Sequence, residues 1–441
     1  MTTTSSEQSA AEREVVDLAR DLIRIDTTNT GETATSAGER KAAEYVAEKL
    51  AEVGIDSVIH ESERGRASLV ARIEGEDSSR GGLLIHGHLD VVPAAAKDWT
   101  VDPFAGEIRD GYLWGRGAVD MKDMDAMVLA LVRQWAREGR RPPRDITLAF
   151  LADEEAGGLL GGHYMVEKHP ELFEGCTEGI SEVGGFSVSV TDDLRLYLIE
   201  TAQKGITWMR LTARGRAGHG SMMHEDNAVT ALCEAVARVG QHQFPVVITD
   251  TVRRFLEEVS DALGIELDPD DPEATIRKLG GVARLVGATI RNTANPTMLD
   301  AGYKANVIPA VAEAVIDGRV LPGQEEEFGR QIDALLGPDV QRELIVHQPA
   351  LETSFDGELV DAMSAALRAE DPGARPIPYM LSGGTDAKAF DRLGIRAFGF
   401  SPLRLPADLD FTALFHGVDE RVPVEALRFG VRVLDRFLSH C

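Results

Sequence analysis

Apolar residues recur at helical spacing over residues 11–26 (AEREVVDLARDLIRID), 41–54 (KAAEYVAEKLAEVG) and 124–139 (MDAMVLALVRQWAREG), which predicts three amphipathic helices, the second stopped at Gly54. The polar run 27–40 reads as a loop. Alternation and short apolar runs predict strands at 68–75, 81–88 and 145–155. Helices alternating with such strands indicate an α/β sheet. After residue 203 the pattern changes. A strand at 204–221, a helix at 227–242, a strand at 281–290, a strand-like core in 304–323 and a helix at 325–337 follow one another, the order of a small α+β module. Helix and strand patterns of the first kind resume at 357–373 and 395–402, and an amphipathic helix closes the chain. The acidic, loop-rich stretch 261–280 fits no element. The expected organisation is a larger domain in two parts, 1–203 and 324–441, interrupted by a smaller domain at 204–323.

Composition narrows the function classes. The chain has 441 residues, too many for one ordinary core. Acidic residues outnumber basic ones 73 to 46, for a net charge of −27. Phosphates and anionic lipid surfaces call for a basic face, so neither nucleic acid nor a membrane is expected as a partner. The three cysteines, Cys176, Cys233 and Cys441, form no short-spaced pair, which argues against a disulfide scaffold and a thiolate zinc site. The polar start MTTTSSEQSA has no apolar core of a signal peptide, and no apolar run approaches ~18 residues. A cytoplasmic enzyme is the expectation.

Candidate chemistry sits where strands should give way to loops. Four segments end there in acids or histidines: HGHLD (86–90), GRGAVDMKD (115–123), ADEEAG (152–157) and SEVGG (181–185). In an open parallel sheet such ends converge on one edge. His88, Asp90, Asp120, Glu154, Glu155 and Glu182 would then share a cleft, where five ionised carboxylates need a cation. Histidine with carboxylate suits zinc, and also cobalt or manganese. FHGVDE (415–420) adds His416, and two metals bridged by one carboxylate would use this number of ligands fully. His88 and Asp90, two apart, share a strand face, so one can bind metal while the other supports it. Adjacent Glu154 and Glu155 diverge, so one can bind metal while the other moves a proton. His86 is expected to satisfy a strand-end hydrogen bond.

Taken together, GHLDVVP (87–93), WTVDPFAGEIRDGYLWGRGAVDMK (99–122), DEEAGG (153–158), GRAGHGS (215–221), NVIP (306–309), SGGTDAK (382–388) and HGVDE (416–420) resemble the M20 family of co-catalytic zinc peptidases, in the family's order and over nearly the whole chain. The LWGRG form and GFSP (399–402) are most similar to its carboxypeptidase S and long-chain N-acyl-amino-acid hydrolase branch. The resemblance implies a zinc-exopeptidase-like α/β/α catalytic domain with an inserted ferredoxin-like lid, which allows a homodimer through the lid. It further implies that His88 and Glu182 bind one ion, Glu155 and His416 the other, and Asp120 both, with a cis peptide to Met121. Asp90 would orient His88, and Glu154 would be the general base. His219 would stabilise the oxyanion, from its own chain or a partner's, while Asn306, Arg319 and Gly384 would hold the substrate's carboxylate side.

The implied reaction is hydrolysis of an amide bond in a small peptide or N-acyl-L-amino acid with a free carboxylate. Two alternatives stand beside it: an N-carbamoyl-amino-acid amidohydrolase or desuccinylase on the same scaffold, and a binding protein that kept the fold without the metals.

Overall fold

A computed structural model describes residues 8–268, 271–278 and 283–441. The chain divides into two compact units. The larger comprises Met1–Glu200, Phe355–Ile377 and Thr385–Cys441; the smaller comprises Thr201–Ser354 and Pro378–Gly384.

The larger unit is built on a mixed sheet. Its strands run in the order Ser57–Glu63, Arg66–Ile73, Ile146–Leu151, Gly82–His88, Cys176–Ser181, Arg396–Gly399 and then the strand beginning at Arg195. The four neighbours from Ile146–Leu151 to Arg396–Gly399 are parallel. Gly82–His88 and Ile146–Leu151 are buried throughout, as expected of parallel strands covered on both faces. On one face Lys122–Glu138 packs with Ala10–Arg24 and Val424–Leu438, and the last also meets Glu358–Glu370. On the other face Leu84, Ala149 and Leu151 pack against Met165, Val166, Phe173, Ala389 and Phe390. Alternation along Gly82–His88 sends Leu84 and His86 toward this second layer and Gly87 toward the first. A Cβ at residue 87 would come within 2.5 Å of Asp125 Oδ1, so the glycine in HGH lets the helix Lys122–Glu138 close on the strand that carries His88.

The smaller unit has a four-stranded antiparallel sheet in the order Thr293–Ala301, Val311–Val320, Gly205–Arg214, Val340–Gln348. Gly205–Arg214 and Val311–Val320 alternate buried and more exposed residues, and their buried side packs with residues of the helices Ala228–Gln241 and Glu325–Leu336. The element order and strand order are ferredoxin-like, so the chain has an α/β domain interrupted by a smaller α+β domain.

Three expectations need correction. The smaller unit does not stop at 323: its sheet needs Val340–Gln348, which pairs along Gly205–Arg214, and Glu325–Leu336 supplies part of its core. The expected strand 281–290 contains the helix Ala283–Gly287, while residues 281 and 282 lie outside the described residues. The sheet strand is instead Thr293–Ala301, which is exposed at every position from 295 to 301 and whose apolar signal is correspondingly weak. The stretch 261–280 takes in the end of the helix Asp250–Leu263 and all of the helix Pro272–Lys278, and residues 269, 270, 279 and 280 are outside the described residues.

Candidate metal centre

Three of the four segments singled out above do leave neighbouring parallel strands: His88 ends Gly82–His88, Glu154 and Glu155 follow Ile146–Leu151, and Glu182 follows Cys176–Ser181. Asp120 arrives differently. It follows Tyr112–Trp114, a strand of a separate three-stranded sheet with Glu107–Arg109 and Arg421–Pro423, and lies just before the helix Lys122–Glu138. Its peptide bond to Met121 is cis. His416 is on the loop that leads into Arg421–Pro423 and has a positive φ of 57°.

These six residues meet in the larger unit. His88 Nε2 is 3.1 Å from Asp120 Oδ1, 3.5 Å from Glu182 Oε2 and 3.9 Å from Glu154 Oε2. His416 Nε2 is 3.1 Å from Asp120 Oδ2 and 3.0 Å from Glu155 Oε2. Asp120 therefore presents one oxygen to each histidine. Potential ligand atoms of His88, Asp120 and Glu155 lie within 4.8 Å of one another, as do those of His88, Glu154 and Glu182. His416 is half-exposed, whereas His88 and the acids are buried or nearly so.

Supporting residues hold this arrangement from behind. His88 Nδ1 points to the backbone carbonyl of Asp90 at 2.9 Å, with the Asp90 carboxylate at 3.6 Å. That carboxylate accepts from Asn29 Nδ2 (2.8 Å) and from the backbone N–H groups of Glu154 (3.1 Å) and Glu155 (3.2 Å). Asp90 thus fixes the turn that projects both glutamates. Asp153, at a positive φ of 69°, anchors the same turn by accepting from Arg66 and the Leu160 N–H. Sequence reading missed Asn29, Arg66 and Asp153. Asp153 stood in the DEE motif, but Asn29 and Arg66 carry no local signal, since their partners are 61 and 87 residues away. His86 departs from expectation: its ring packs on Phe390, and its Nε2 is buried with no hydrogen-bond partner among the described residues. Burial holds its pKa down near 3, so it is neutral.

The electrostatics follow from the crowding of carboxylates around two histidines. Burial, then the charge of Glu182, pushes the Glu154 carboxyl well up. Burial and Asp120 raise Glu155 to about 7. Burial pulls His88 down, but Glu182, Asp120 and Asp90 more than offset it, and its pKa rises well above the usual value. Hydrogen bonds to Asp120 and Glu155 lift His416 to about 10. So many acids in one buried site raise one another's proton affinity and that of both imidazoles, and bound cations would relieve the same repulsion. Glu155 Oε1 is buried without a hydrogen-bond partner among the described residues, although its other oxygen faces His416. An imidazole–carboxylate donor set with an orphaned carboxylate oxygen fits two divalent ions.

The remaining expected residues lie in the smaller unit. His219 is exposed on a two-stranded ribbon, opposite Val307, and its Nδ1 is 2.8 Å from Ser221 Oγ. The Gly220 N–H donates to the Asn306 carbonyl at 3.0 Å, so the ribbon brings His219 and Asn306 together. Arg319 is elsewhere, on Val311–Val320, and its guanidinium pairs with Asp317 at 2.7 Å. Gly384 ends the segment Pro378–Gly384. No helix among the described residues is long and apolar enough to cross a membrane.

Comparison with known proteins agrees with this geometry. The chain is 27% identical to N-fatty-acyl-amino acid synthase/hydrolase PM20D1 of Xenopus tropicalis, over 95% of this chain and 84% of that protein. It is 29% identical to aminoacylase-1 of Sus scrofa, over 90% and 89%. It is 28% identical to a probable carboxypeptidase S-like 2 of Dictyostelium discoideum, over 81% and 71%. Its fold matches an M20 family metallo-carboxypeptidase from Sulfolobus solfataricus with a TM-score of 0.72 at 17% identity, over 97% and 99% of the two chains. The dipeptidase Dug1p of Saccharomyces cerevisiae matches with a TM-score of 0.70 at 16% identity, over 98% of each chain. Residues 84–440 match the pattern described as Peptidase family M20/M25/M40, so the chain belongs to that family and is, at that level, a metal-dependent hydrolase of small peptide or acyl-amino-acid substrates.

Proposed function

We propose that this protein hydrolyses the amide bond of an N-acyl-L-amino acid with a free carboxylate, using two divalent ions, zinc foremost. The observation that carries this reading is Asp120, whose two oxygens each stand 3.1 Å from the imidazole of a different histidine. The named activities of the relatives, N-fatty-acyl-amino acid hydrolase and aminoacylase among them, support an acylated amino acid over a dipeptide and the carboxypeptidase S-like branch of the family.

In this reading His88, Asp120 and Glu182 hold one ion, and Asp120, Glu155 and His416 hold the other. When bound, the ions lower the pKa of a water molecule and polarise the scissile carbonyl. Glu154 takes the proton from the attacking water and returns it to the departing nitrogen. Asp90 keeps Glu154 in place through the backbone N–H it accepts. From the family resemblance, His219 donates to the developing oxyanion, and Asn306, Arg319 and the Gly384 backbone hold the substrate carboxylate. Association into a homodimer through the smaller unit belongs to the same proposal. The edge strand Thr293–Ala301 supports it, because Met298 and Leu299 are exposed there.

The test is a panel of N-acyl amino acids, dipeptides and N-carbamoyl amino acids, run on protein whose metal content has been measured. Hydrolysis of N-acyl amino acids with about two ions per chain is expected. Turnover confined to N-carbamoyl compounds would replace the substrate class, and full activity without metal would overturn the mechanism.

A further inference from the structure

Arg116 and Glu420 form a buried ion pair, Nη1 to Oε2 2.6 Å, with side chains 3% and 0% exposed. Neither residue has a part in the metal reading above, yet each grips the backbone of a segment that carries a ligand. Glu420 Oε1 accepts the N–H groups of Val119 (2.7 Å) and Asp120 (3.2 Å), and Oε2 accepts that of Gly117 (3.1 Å). Arg116 Nη2 donates to the carbonyls of Gly417 (3.0 Å) and His416 (3.4 Å). The Gly115 N–H donates to the Glu420 carbonyl at 3.0 Å. One carboxylate therefore fastens the turn 117–120, and the guanidinium bound to it fastens 416–417. The side chains these segments carry, Asp120 and His416, face each other at 3.1 Å.

The loop of His416 also needs outside support. His416 and Asp419 both have left-handed backbones, at φ 57° and 59°, which non-glycine residues keep only when their surroundings impose it. Asp419 is tied down by the N–H and hydroxyl of Thr100, at 2.8 and 3.0 Å. The carbonyl of His416 itself is held by Arg116.

We propose that the Arg116–Glu420 pair is a positioning device that sets the separation of Asp120 and His416, and so the affinity of the ion between Glu155 and His416, with a smaller effect on the ion between His88 and Glu182, which shares Asp120 but not the loop of His416. This rests on the two-ion reading. The competing explanation is a staple for the sheet of Tyr112–Trp114 and Arg421–Pro423, which would change stability but not metal affinity.

The experiment is calorimetric titration of zinc into metal-free wild-type, Glu420→Gln and Arg116→Lys proteins, each checked for folding by circular dichroism. Glu420→Gln keeps the shape but sets an amide N–H₂ against backbone donors. Arg116→Lys keeps the charge but loses the fork that reaches 416 and 417, and it carries the test if Glu420→Gln does not fold. In the variants one of the two affinities should fall by about 10- to 100-fold while the other stays within about threefold, the scale of effect seen when partners of metal ligands are removed. Two unchanged affinities in a folded variant, or an equal fall in both, would overturn the device alone. A wild-type protein that binds fewer than two ions would overturn the two-ion reading and the device with it.

Discussion

The strand ends of the larger unit and the ribbon of the smaller unit both carry residues proposed for one reaction, but they are built on opposite principles. His88 is buried, its Nδ1 is committed to a carbonyl, and the acids around it sit on turns held by Asp90, Asp153 and Glu420. His219 is exposed and has Ser221 as its side-chain hydrogen-bond partner, with Met222 and Met223 exposed beside it. A metal site demands ligands fixed before the ion arrives, because each buried carboxylate left without a cation costs free energy. A donor that acts only on a developing charge has no such requirement. Removing buried His88 should therefore alter metal binding, whereas removing exposed His219 should alter turnover alone.

The sharpest way to break that contrast is to remove a buried ligand. His88→Ala should lose an ion, and kcat should fall by more than about 1,000-fold, because a metal supplies several kcal/mol of transition-state stabilisation and each 1.36 kcal/mol is a factor of ten. Metal analysis and chelation, with recovery on adding zinc, cobalt or manganese, check this. Glu154→Gln should keep both ions and lower kcat by about 100- to 10,000-fold. Loss of an ion instead would mean that Glu154 and Glu155 have been assigned the wrong way round. On the ribbon, His219→Ala should lower kcat by about 100- to 1,000-fold, as for one oxyanion donor, with metal content and Tm unchanged. A shift in metal content would collapse the distinction between the two regions.

Asp371 provides a control inside the larger unit, a buried carboxylate that already has its cation. The Arg195 guanidinium lies against it, and Tyr197 Oη donates to it at 2.9 Å. Burial tends to raise its carboxyl, but these bonds win and bring it down from 3.8 to about 2. A depressed carboxylate stabilises the fold above its unfolded pKa and loses that contribution as pH falls toward the folded value. Asp371→Ala should therefore cost about 3 kcal/mol at neutral pH, with zinc content unaltered, and should flatten the loss of stability between about pH 4 and pH 2. Denaturant titration across that range is the measurement. The smallest effect belongs to Met223, which is fully exposed: Met223→Ser should change stability by less than about 0.5 kcal/mol.

Much of the site was legible because its signals are local. HGHLD shows two candidate residues on alternate positions at the end of an apolar strand, and the structure puts them there. Glu154, Glu155 and Glu182 follow apolar strands in the same way. Asp120 was found by its motif, while its expected position at the end of a main-sheet strand was mistaken, since Tyr112–Trp114 belongs to a different sheet. The strand expected at 281–290 failed for a related reason: a short apolar run suits either a buried strand or a helix, and here part of it forms the helix Ala283–Gly287.

By itself the sequence determined the α/β framework, the inserted α+β module and the residue types able to hold metal, because periodicity and strand-end polarity are properties of neighbouring residues. Tertiary structure alone decided that Asp120 would offer one oxygen to each histidine, that Asn29 would reach Asp90, and that Glu420 would fasten the turn of Asp120 and pair with Arg116, 304 residues away. Such pairings depend on which strands and loops lie side by side once the sheet has formed. A hydrogen bond of 3 Å between residues hundreds of positions apart leaves no periodic trace in the chain.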